Sequence, residues 1–317
     1  MKSNSELIEM FKNDCEIRGL ADQTISSYVI KTQAFLNWLD GRNLLEIDRS
    51  ILKDYINYLR KKNLKDKSFH TIFDAIGAMF SFLEDEGLIV SNPVPKIRQR
   101  YLPVYKRDAK QLRQLISIED ASRFVNSIRS SRDRATATLM FKTGIRISEL
   151  VNLDLDSIDW KEQSITLKPT KKRSNRVVFF DNECARVLQL WIDQRKTWNA
   201  TTPALFIDKR NNRIRRDVIE RWWRDNAEEL GLYKIGATEL KDKFTPHCCR
   251  HWFSAHLRKA GMPNEFIQEL RGDVRREAIA LYDHIDLNEL KESYQIYMPK
   301  LGIRSHWSLP TNTPARS

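Results

Sequence analysis

A histidine and an arginine three residues apart mark the segment of this sequence in which chemistry is most readily expected. They are His247 and Arg250, and they follow directly on Thr245 and Pro246. A hydroxyl residue followed by proline is a typical start of a helix. The spacing places both side chains on one face of its first turn, where free backbone N–H groups and the helix dipole favour an anion. The pattern indicates a binding site for a phosphate-like group.

Apolar residues on another face of that helix determine how the site is held. Phe253 and Leu257 lie four residues apart, so we expect this face to pack on a core while the polar end of the helix faces a cleft. Gly261 ends the helix, a second short helix ends at Gly272, and a third carries Tyr282. Short helices therefore lead from the anion site to a tyrosine.

Two further motifs lie upstream. The segment TGIRISEL contains Arg146, and a predicted β-hairpin, ITL and RVVFF joined by a turn, carries Lys171 in that turn. Downstream, Tyr282 follows Arg250 by 32 residues. This ordered set of motifs, with His247-x-x-Arg250 included, resembles the tyrosine recombinases, also called phage integrases, which include the Xer-type chromosome-dimer resolvases.

The resemblance implies that DNA is cut and rejoined through a 3′-phosphotyrosyl link, without metal, ATP or any other cofactor. Tyr282 would attack the phosphorus atom. Arg146 and Arg250 would clamp the non-bridging oxygens through their fork-shaped donors. Lys171 would protonate the leaving 5′-oxygen as a general acid. His247 would hydrogen-bond the phosphate or assist the tyrosine.

The choice of the general acid rests on alignment of the hairpin. Lys171 lies five residues before Arg176, as the family's lysine lies before its strand-opening arginine. Lys172 is the competing candidate. If Lys171 is the general acid, we expect Lys172 and Arg173 to contact DNA.

Two residues are expected to support the catalytic set from outside it. Glu149 lies three residues after Arg146 and is spaced to orient it by an ion pair. His284, two residues after Tyr282, matches a frequent family position, which we interpret as structural.

Asp273 departs from the family's pattern, which usually has histidine or tryptophan nine residues before the nucleophile. Two interpretations stay open. Asp273 belongs to the catalytic set, or it only caps the helix that carries Tyr282, because a carboxylate beside a phosphate should repel it. In the second case one donor is missing from the set or is supplied by Arg271, Arg275 or Arg276.

Composition and charge limit the class of protein. The chain has 317 residues, is 41% apolar and has a net charge of +12, which together indicate a folded protein with a polyanionic partner. Its four cysteines lack the spacing of a disulfide framework. No apolar run approaches the roughly 20 residues of a membrane span. We expect a cytoplasmic, nucleoid-associated protein with no membrane partner.

Hydrophobic periodicity and charge divide the chain. Four helical stripes predict a four-helix bundle over residues 1–90. Residues 91–113 have seven Lys and Arg against one acidic residue and are interpreted as an extended basic linker in which Lys106, Arg107 and Lys110 contact DNA phosphates. Residues 114–300 are expected to form the catalytic domain and residues 301–317 a flexible tail.

The resemblance implies a mainly α fold that clamps DNA between two domains. A SAM-like core-binding domain of four helices would precede an integrase-type catalytic domain with a small β-hairpin or three-stranded sheet, its third strand at residues 204–206. The resemblance covers about residues 5–300, which leaves no room for an additional arm-binding domain. It favours a two-domain member, either a Xer-like resolvase or an integrase of a plasmid, virus or transposon. The partners would be double-stranded DNA with a specific recombination site and, on DNA, three further copies of a chain that is monomeric or dimeric when free.

Three other interpretations were weighed. A type IB topoisomerase shares the chemistry but acts as a monomer that rejoins the same strand. A sequence-specific DNA-binding protein derived from a recombinase would bind without cutting. A metal site at His247, Cys248, Cys249 and His251 is disfavoured, because consecutive helical residues point in different directions.

Overall fold

The chain forms two compact units, residues 1–110 and 111–317, each with its own hydrophobic core. The computed structural model describes residues 2–62, 64, 66–102, 113–168, 176–273 and 285–304. No helix within those ranges is both long and apolar enough to cross a membrane.

The first unit is a helical bundle. Its core is rich in aromatic side chains, among them Phe11, Phe35, Tyr55 and Phe73, all buried. The four predicted helices are present. Its helices, among the described residues, are α1 (Asn4–Ile17), α2 (Asp22–Leu39), α3 (Arg49–Lys61), α4 (Asp66–Asp85) and α5 (Val94–Tyr101).

Helix α5 replaces the first part of the predicted extended linker. Val94 and Ile97, three residues apart, are buried in the core of the first unit. The Asn92 side chain fixes the start of this helix, since its carbonyl oxygen accepts the Val94 N–H at 2.9 Å and its amide donates to the Gly77 carbonyl at 3.2 Å. Residues Val94–Tyr101 are therefore helical where an extended chain is predicted, because two well-spaced apolar residues outweigh the surrounding basic ones. Lys106, Arg107 and Lys110 lie outside the described residues.

The second unit is mostly helical. Its α-helices, among the described residues, are α6 (Ile118–Ser127), α7 (Ser131–Thr143), α8 (Ile147–Val151), α9 (Asn182–Thr197), α10 (Arg216–Glu229), α11 (Pro246–Ala260), α12 (Asn264–Arg271) and α13 (Leu287–Tyr297). Helix α11 begins at Pro246 and ends at Ala260, with Gly261 as its C-cap, as predicted.

A small antiparallel sheet accompanies these helices. It consists of β1 (Ile158–Asp159), β2 (Ser164–Leu167) and β3 (Arg176–Phe179) in the order β1-β2-β3. The predicted hairpin corresponds to β2 and β3. The prediction of a third strand at residues 204–206 is wrong, because Ala204 makes only an isolated bridge to Asp154. Leu205 and Phe206 are apolar because they are buried in the core.

The core of the second unit encloses α7 almost completely. Every residue of this helix from Asp133 to Thr143 is buried. Phe141 lies in a cluster of rings with Trp223 and Trp252. The helix ends at Gly144, whose φ is +60°, and a Cβ there would lie 2.6 Å from the ring of Phe253 on α11. This close approach sets the end of α7, and with it Arg146, against α11.

The C-terminal helix α13 packs on its own unit. The Tyr294 hydroxyl donates to the Lys142 carbonyl at 3.0 Å. The Lys142 ammonium, with no exposed side-chain surface, binds Asp181 and Glu183 at 2.6 Å each and the Pro299 carbonyl at 2.8 Å. A buried ion network therefore fastens the segment after α13 to α7 and α9.

Candidate active site

Charged side chains from five separate places in the second unit converge on one surface. Arg146 and Glu149 come from the start of α8, Arg176 opens β3, Arg250 comes from α11, and Arg271 and Asp273 come from the end of α12 and the residues after it. Four guanidinium groups thus face two carboxylates, which leaves an excess of two positive charges. Such a surface attracts an anion.

Glu149 orients two of the arginines. Its carboxylate accepts from Arg146 Nη1 at 3.1 Å and from the Arg146 backbone N–H at 2.7 Å, so the expected ion pair is present. The same carboxylate accepts two bonds from Arg176, at 2.8 and 2.9 Å. Burial of the Glu149 carboxyl acts to raise its pKa, but the bonds and charges of Arg176 and Arg146 outweigh burial and hold the pKa below its ordinary value.

Arg176 is a site residue beyond the predicted set. Its guanidinium is largely buried, and its Nε also donates to the Leu270 carbonyl at 3.2 Å. Gly272 has a φ of +59°, and a Cβ there would lie 2.7 Å from the Arg176 side chain, so glycine is required. One signal was available in the sequence, since Arg176 is the only charged residue of the apolar strand RVVFF.

Arg250 is held by backbone carbonyls in the interior of the unit. Its side chain is only 3% exposed, and it donates from Nη1 to the Gly144 carbonyl at 3.0 Å and from Nη2 to the Arg271 carbonyl at 2.7 Å. Burial, together with the charges of Arg146 and Arg271, lowers the pKa of Arg250 to about 9. The group is therefore still cationic at neutral pH, and one guanidinium edge stays directed at the surface where Asp273 lies.

Asp273 lies among three arginines. Its Oδ1 accepts from Arg250 Nη2 at 2.9 Å and lies 3.8 Å from Arg146 Nη2. Its Oδ2 lies 3.2 Å from Arg271 Nε. The carboxylate thus lies at the point on which the three arginine side chains converge. The alternative role as a helix cap concerns residues after 273, which lie outside the described residues.

His247 lies in the first turn of α11, on the same side as Arg250. Its ring reaches solvent and packs edge-on against His251, with ring centroids 5.4 Å apart. Partial burial of the ring, followed by the positive charges of Arg113, Arg250 and Arg146, lowers its pKa to about 4. The imidazole is therefore neutral at physiological pH and can donate one hydrogen bond to a phosphate oxygen.

The two cysteines between these residues are packing groups. Cys248 and Cys249 are buried, and burial raises the pKa of Cys249 well above its ordinary value. Within the described part of the chain, no group of three or more His, Cys, Asp or Glu side chains is placed to share a metal ion.

The remaining predicted site residues lie outside the described residues. They are Lys171, Lys172 and Arg173 in the hairpin turn and Tyr282 and His284 after α12. The structure therefore brings together the anion-binding side of the site: Arg146, His247, Arg250 and Asp273, supported by Glu149. The nucleophile and the general acid stay predictions from sequence.

Comparison with known proteins identifies the family of this chain. The model for the phage integrase family matches residues 107–289, and the model for the phage integrase N-terminal SAM-like domain matches residues 7–88. The tyrosine recombinase XerC of Haemophilus influenzae is 28% identical over 290 residues, which cover 89% of this chain and 93% of that protein.

Two solved structures share the fold. A lambda integrase dimer bound to a COC′ core site has a TM-score of 0.65 at 16% identity and covers 90% of this chain and 100% of that one. The Tn1549 transposon integrase in complex with a circular intermediate DNA has a TM-score of 0.66 at 16% identity and covers 91% of this chain and 98% of that one. The predicted fold class, a SAM-like helical domain followed by an integrase-type domain, is confirmed. The chain is a member of the phage integrase family of tyrosine recombinases.

Proposed function

We propose that this protein is a site-specific DNA recombinase that cuts and rejoins strands through a 3′-phosphotyrosyl intermediate. The observation that carries the proposal is the convergence of Arg146 and Arg250 on a single anion, the Asp273 carboxylate, with contacts of 3.8 and 2.9 Å. Two guanidinium groups on one anion are what a phosphodiester in transfer needs, because charge builds up on its non-bridging oxygens. Membership of the phage integrase family supports the same reaction.

The reaction breaks one phosphodiester bond and stores its energy in another. The Tyr282 hydroxyl gives its proton to solvent as its oxygen attacks phosphorus, and the bond from phosphorus to the 5′-oxygen breaks. Lys171 gives its proton to that oxygen, which leaves as a 5′-hydroxyl. Arg146 and Arg250 neutralise the non-bridging oxygens throughout, while neutral His247 donates a hydrogen bond. A 5′-hydroxyl from a second strand then gives its proton to the neutral Lys171 and attacks phosphorus. The bond from phosphorus to Tyr282 breaks, and the tyrosine oxygen takes up a proton from solvent.

The described residues account for the rigidity that this role requires. Arg250 is fixed by two carbonyls, and Arg146 is fixed by Glu149, which Arg176 holds in turn. Bidentate donors held in advance need no reorganisation in the transition state. Loss of one such contact typically lowers the rate by a factor of about 10²–10³.

The partners follow from the same function. We assign double-stranded DNA with a specific recombination site as the substrate and a homotetramer as the assembly on DNA, formed from monomers or dimers. Residues 91–113, with Lys106, Arg107 and Lys110, add phosphate contacts outside the site, as do Lys172 and Arg173 in the hairpin. The net charge of +12 supports association with DNA, and we place the protein on DNA in the nucleoid of the cytoplasm.

A strand-exchange assay tests this function. Restriction fragments of DNA from the source organism are enriched for those the protein binds, and pairs of bound fragments are incubated with it in EDTA without ATP. We expect joint molecules that contain one strand from each fragment, and none with Arg250→Lys. A supercoiled plasmid that carries a bound fragment is incubated in parallel, and its relaxation without joint molecules would indicate a topoisomerase instead. Sequence-specific binding with neither product would indicate a protein that only binds.

A further inference from the structure

The anion that fills the arginine cluster is one of the protein's own side chains. Asp273 Oδ1 is within 2.9 Å of Arg250 and 3.8 Å of Arg146, and Oδ2 is within 3.2 Å of Arg271. A carboxylate and a phosphodiester present similar oxygens to a guanidinium fork. Asp273 therefore makes contacts of the kind that a phosphate would make.

Arg250 and Arg146 do not depend on Asp273 for their positions. Arg250 is fixed by the carbonyls of Gly144 and Arg271, at 3.0 and 2.7 Å. Arg146 is fixed by two bonds to Glu149. Removal of the Asp273 carboxylate would leave these four bonds in place, so its role differs from that of Glu149, which holds its arginines.

One donor at the site is left without an acceptor. Arg271 Nε is buried and makes no hydrogen bond to any described residue, although Asp273 Oδ2 lies 3.2 Å away, because the direction of that contact is unsuitable. Buried donors without a partner are rare and are often explained by a ligand. A tetrahedral phosphate presents oxygens in more directions than a planar carboxylate, so it could satisfy this donor as well.

The charges of the cluster also favour exchange of one anion for another. Four guanidinium groups surround Glu149 and Asp273, and the Asp273 side chain is 30% exposed whereas that of Glu149 is 10% exposed. Asp273 is thus the carboxylate that an incoming anion would meet. An incoming phosphate would need the Arg250 Nη2 donor that Asp273 Oδ1 already uses at 2.9 Å, so the two anions would compete for it.

We propose that Asp273 is an internal competitor that occupies the phosphate site of the DNA-free protein and is displaced when a phosphodiester enters. The inference rests on the proposed function for the identity of the natural anion. Its consequence is that isolated phosphates and non-specific DNA bind this site weakly. A phosphodiester displaces the carboxylate only where contacts elsewhere along the DNA hold it in place.

Inorganic phosphate is the probe that tests the displacement. Its dissociation constant is measured by isothermal titration calorimetry for the full-length protein and for Asp273→Asn. We expect the variant to bind phosphate on the order of tenfold more tightly, since a competing charge is removed. Asp217→Asn is the matched control. Asp217 lies on α10 and forms an exposed ion pair with Arg215, and its replacement changes the net charge by the same amount as Asp273→Asn. This control should bind phosphate as the wild type does.

Further variants separate competition from other effects. Arg250→Lys in the Asp273→Asn background should abolish the gain, which would place the phosphate on the arginine cluster. If Asp273→Asn does not fold, Asp273→Ser takes its place, with thermal unfolding as the check. Phosphate affinity of the variant equal to the wild type, or weaker, would overturn the proposal. Because phosphate binding requires neither Tyr282 nor strand cleavage, this result is independent of whether the protein proves to be a recombinase.

Discussion

The guanidinium group of Arg176 donates to both carboxylate oxygens of Glu149, at 2.8 and 2.9 Å, and Glu149 in turn accepts from Arg146 at 3.1 Å. The pair joins β3 to the start of α8, two elements that come from different parts of the chain. The position of Arg146, the first arginine of the proposed catalytic set, therefore depends on a residue of the β-hairpin. Arg176 acts through Glu149 and is a positioning residue.

Replacement of Arg176 by lysine tests this dependence. Arg176→Lys keeps the charge but cannot bridge both carboxylate oxygens, so Arg146 loses part of its support. We expect the single-turnover cleavage rate to fall by roughly 10–100-fold with little change in DNA affinity, since misplacement of a catalytic group lowers the rate more than binding. The control is Arg215→Lys at an exposed pair. A cleavage rate equal to the wild type would show that Arg176 only stabilises the fold.

Gly272 should be harder to replace than Gly302, although the two glycines have the same backbone conformation. Gly272 and Gly302 both have a φ of +59°, but only Gly272 has a neighbour, the Arg176 side chain, where a Cβ would lie. In both alanine variants the left-handed backbone conformation lowers the free energy of unfolding by roughly 1–2 kcal/mol. We expect Gly272→Ala to lower the free energy of unfolding by at least about 1 kcal/mol more than Gly302→Ala, because it adds a steric clash. Urea denaturation of both variants measures the difference, and equal losses would contradict the packing described for Arg176.

Lys142 should be important for stability although it lies outside the site. Its ammonium has no exposed surface and binds Asp181, Glu183 and a backbone carbonyl. Lys142→Met would leave two carboxylates without their cation, which typically costs about 3–5 kcal/mol of unfolding free energy. Lys196→Met removes an exposed partner of Asp193 and should cost less than about 1 kcal/mol. Chemical denaturation compares the two, and similar losses would show that the buried network contributes little.

His247 should stay uncharged over the pH range in which most proteins are assayed. Partial burial and the surrounding arginines lower its pKa to about 4, from an ordinary value of 6.5. Between these values the unfolded chain binds a proton that the folded chain does not, so this residue contributes to a loss of stability as the pH falls from 6.5 to 4. Proton–nitrogen NMR of the imidazole, assigned with His247→Gln, should show no titration above pH 5.5. A midpoint near 6.5 would mean that the ring is not held in this environment.

Local signals in the sequence were sufficient for most of the fold. Apolar periodicity predicts the four bundle helices, and Pro246 and Gly261 predict the bounds of α11. These features depend on residues a few positions apart. Helix α5 was missed because the spacing of Val94 and Ile97 lies within a strongly basic stretch.

Local signals in the sequence could not predict the contacts that complete the site, because these contacts join residues far apart in the chain. Arg176 lies 27 residues from Glu149, and Arg250 lies 106 residues from the Gly144 carbonyl that holds it. Whether such residues meet depends on how helices and strands pack. The sequence shows that Asp273 stands where the family usually has histidine or tryptophan. Its position among three arginines follows only from the packing of α11 and α12.

The most direct test of the proposed function is to map the covalent bond between protein and DNA. The protein is incubated in EDTA with DNA fragments that it binds, denatured with detergent, and digested for mass spectrometry. We predict a nucleotide attached to Tyr282, and no adduct with Tyr282→Phe, which should bind DNA as the wild type does. An adduct on Tyr294 or Tyr297 would contradict the assigned nucleophile. Tight, sequence-specific binding by the wild type without any adduct would contradict strand transfer itself.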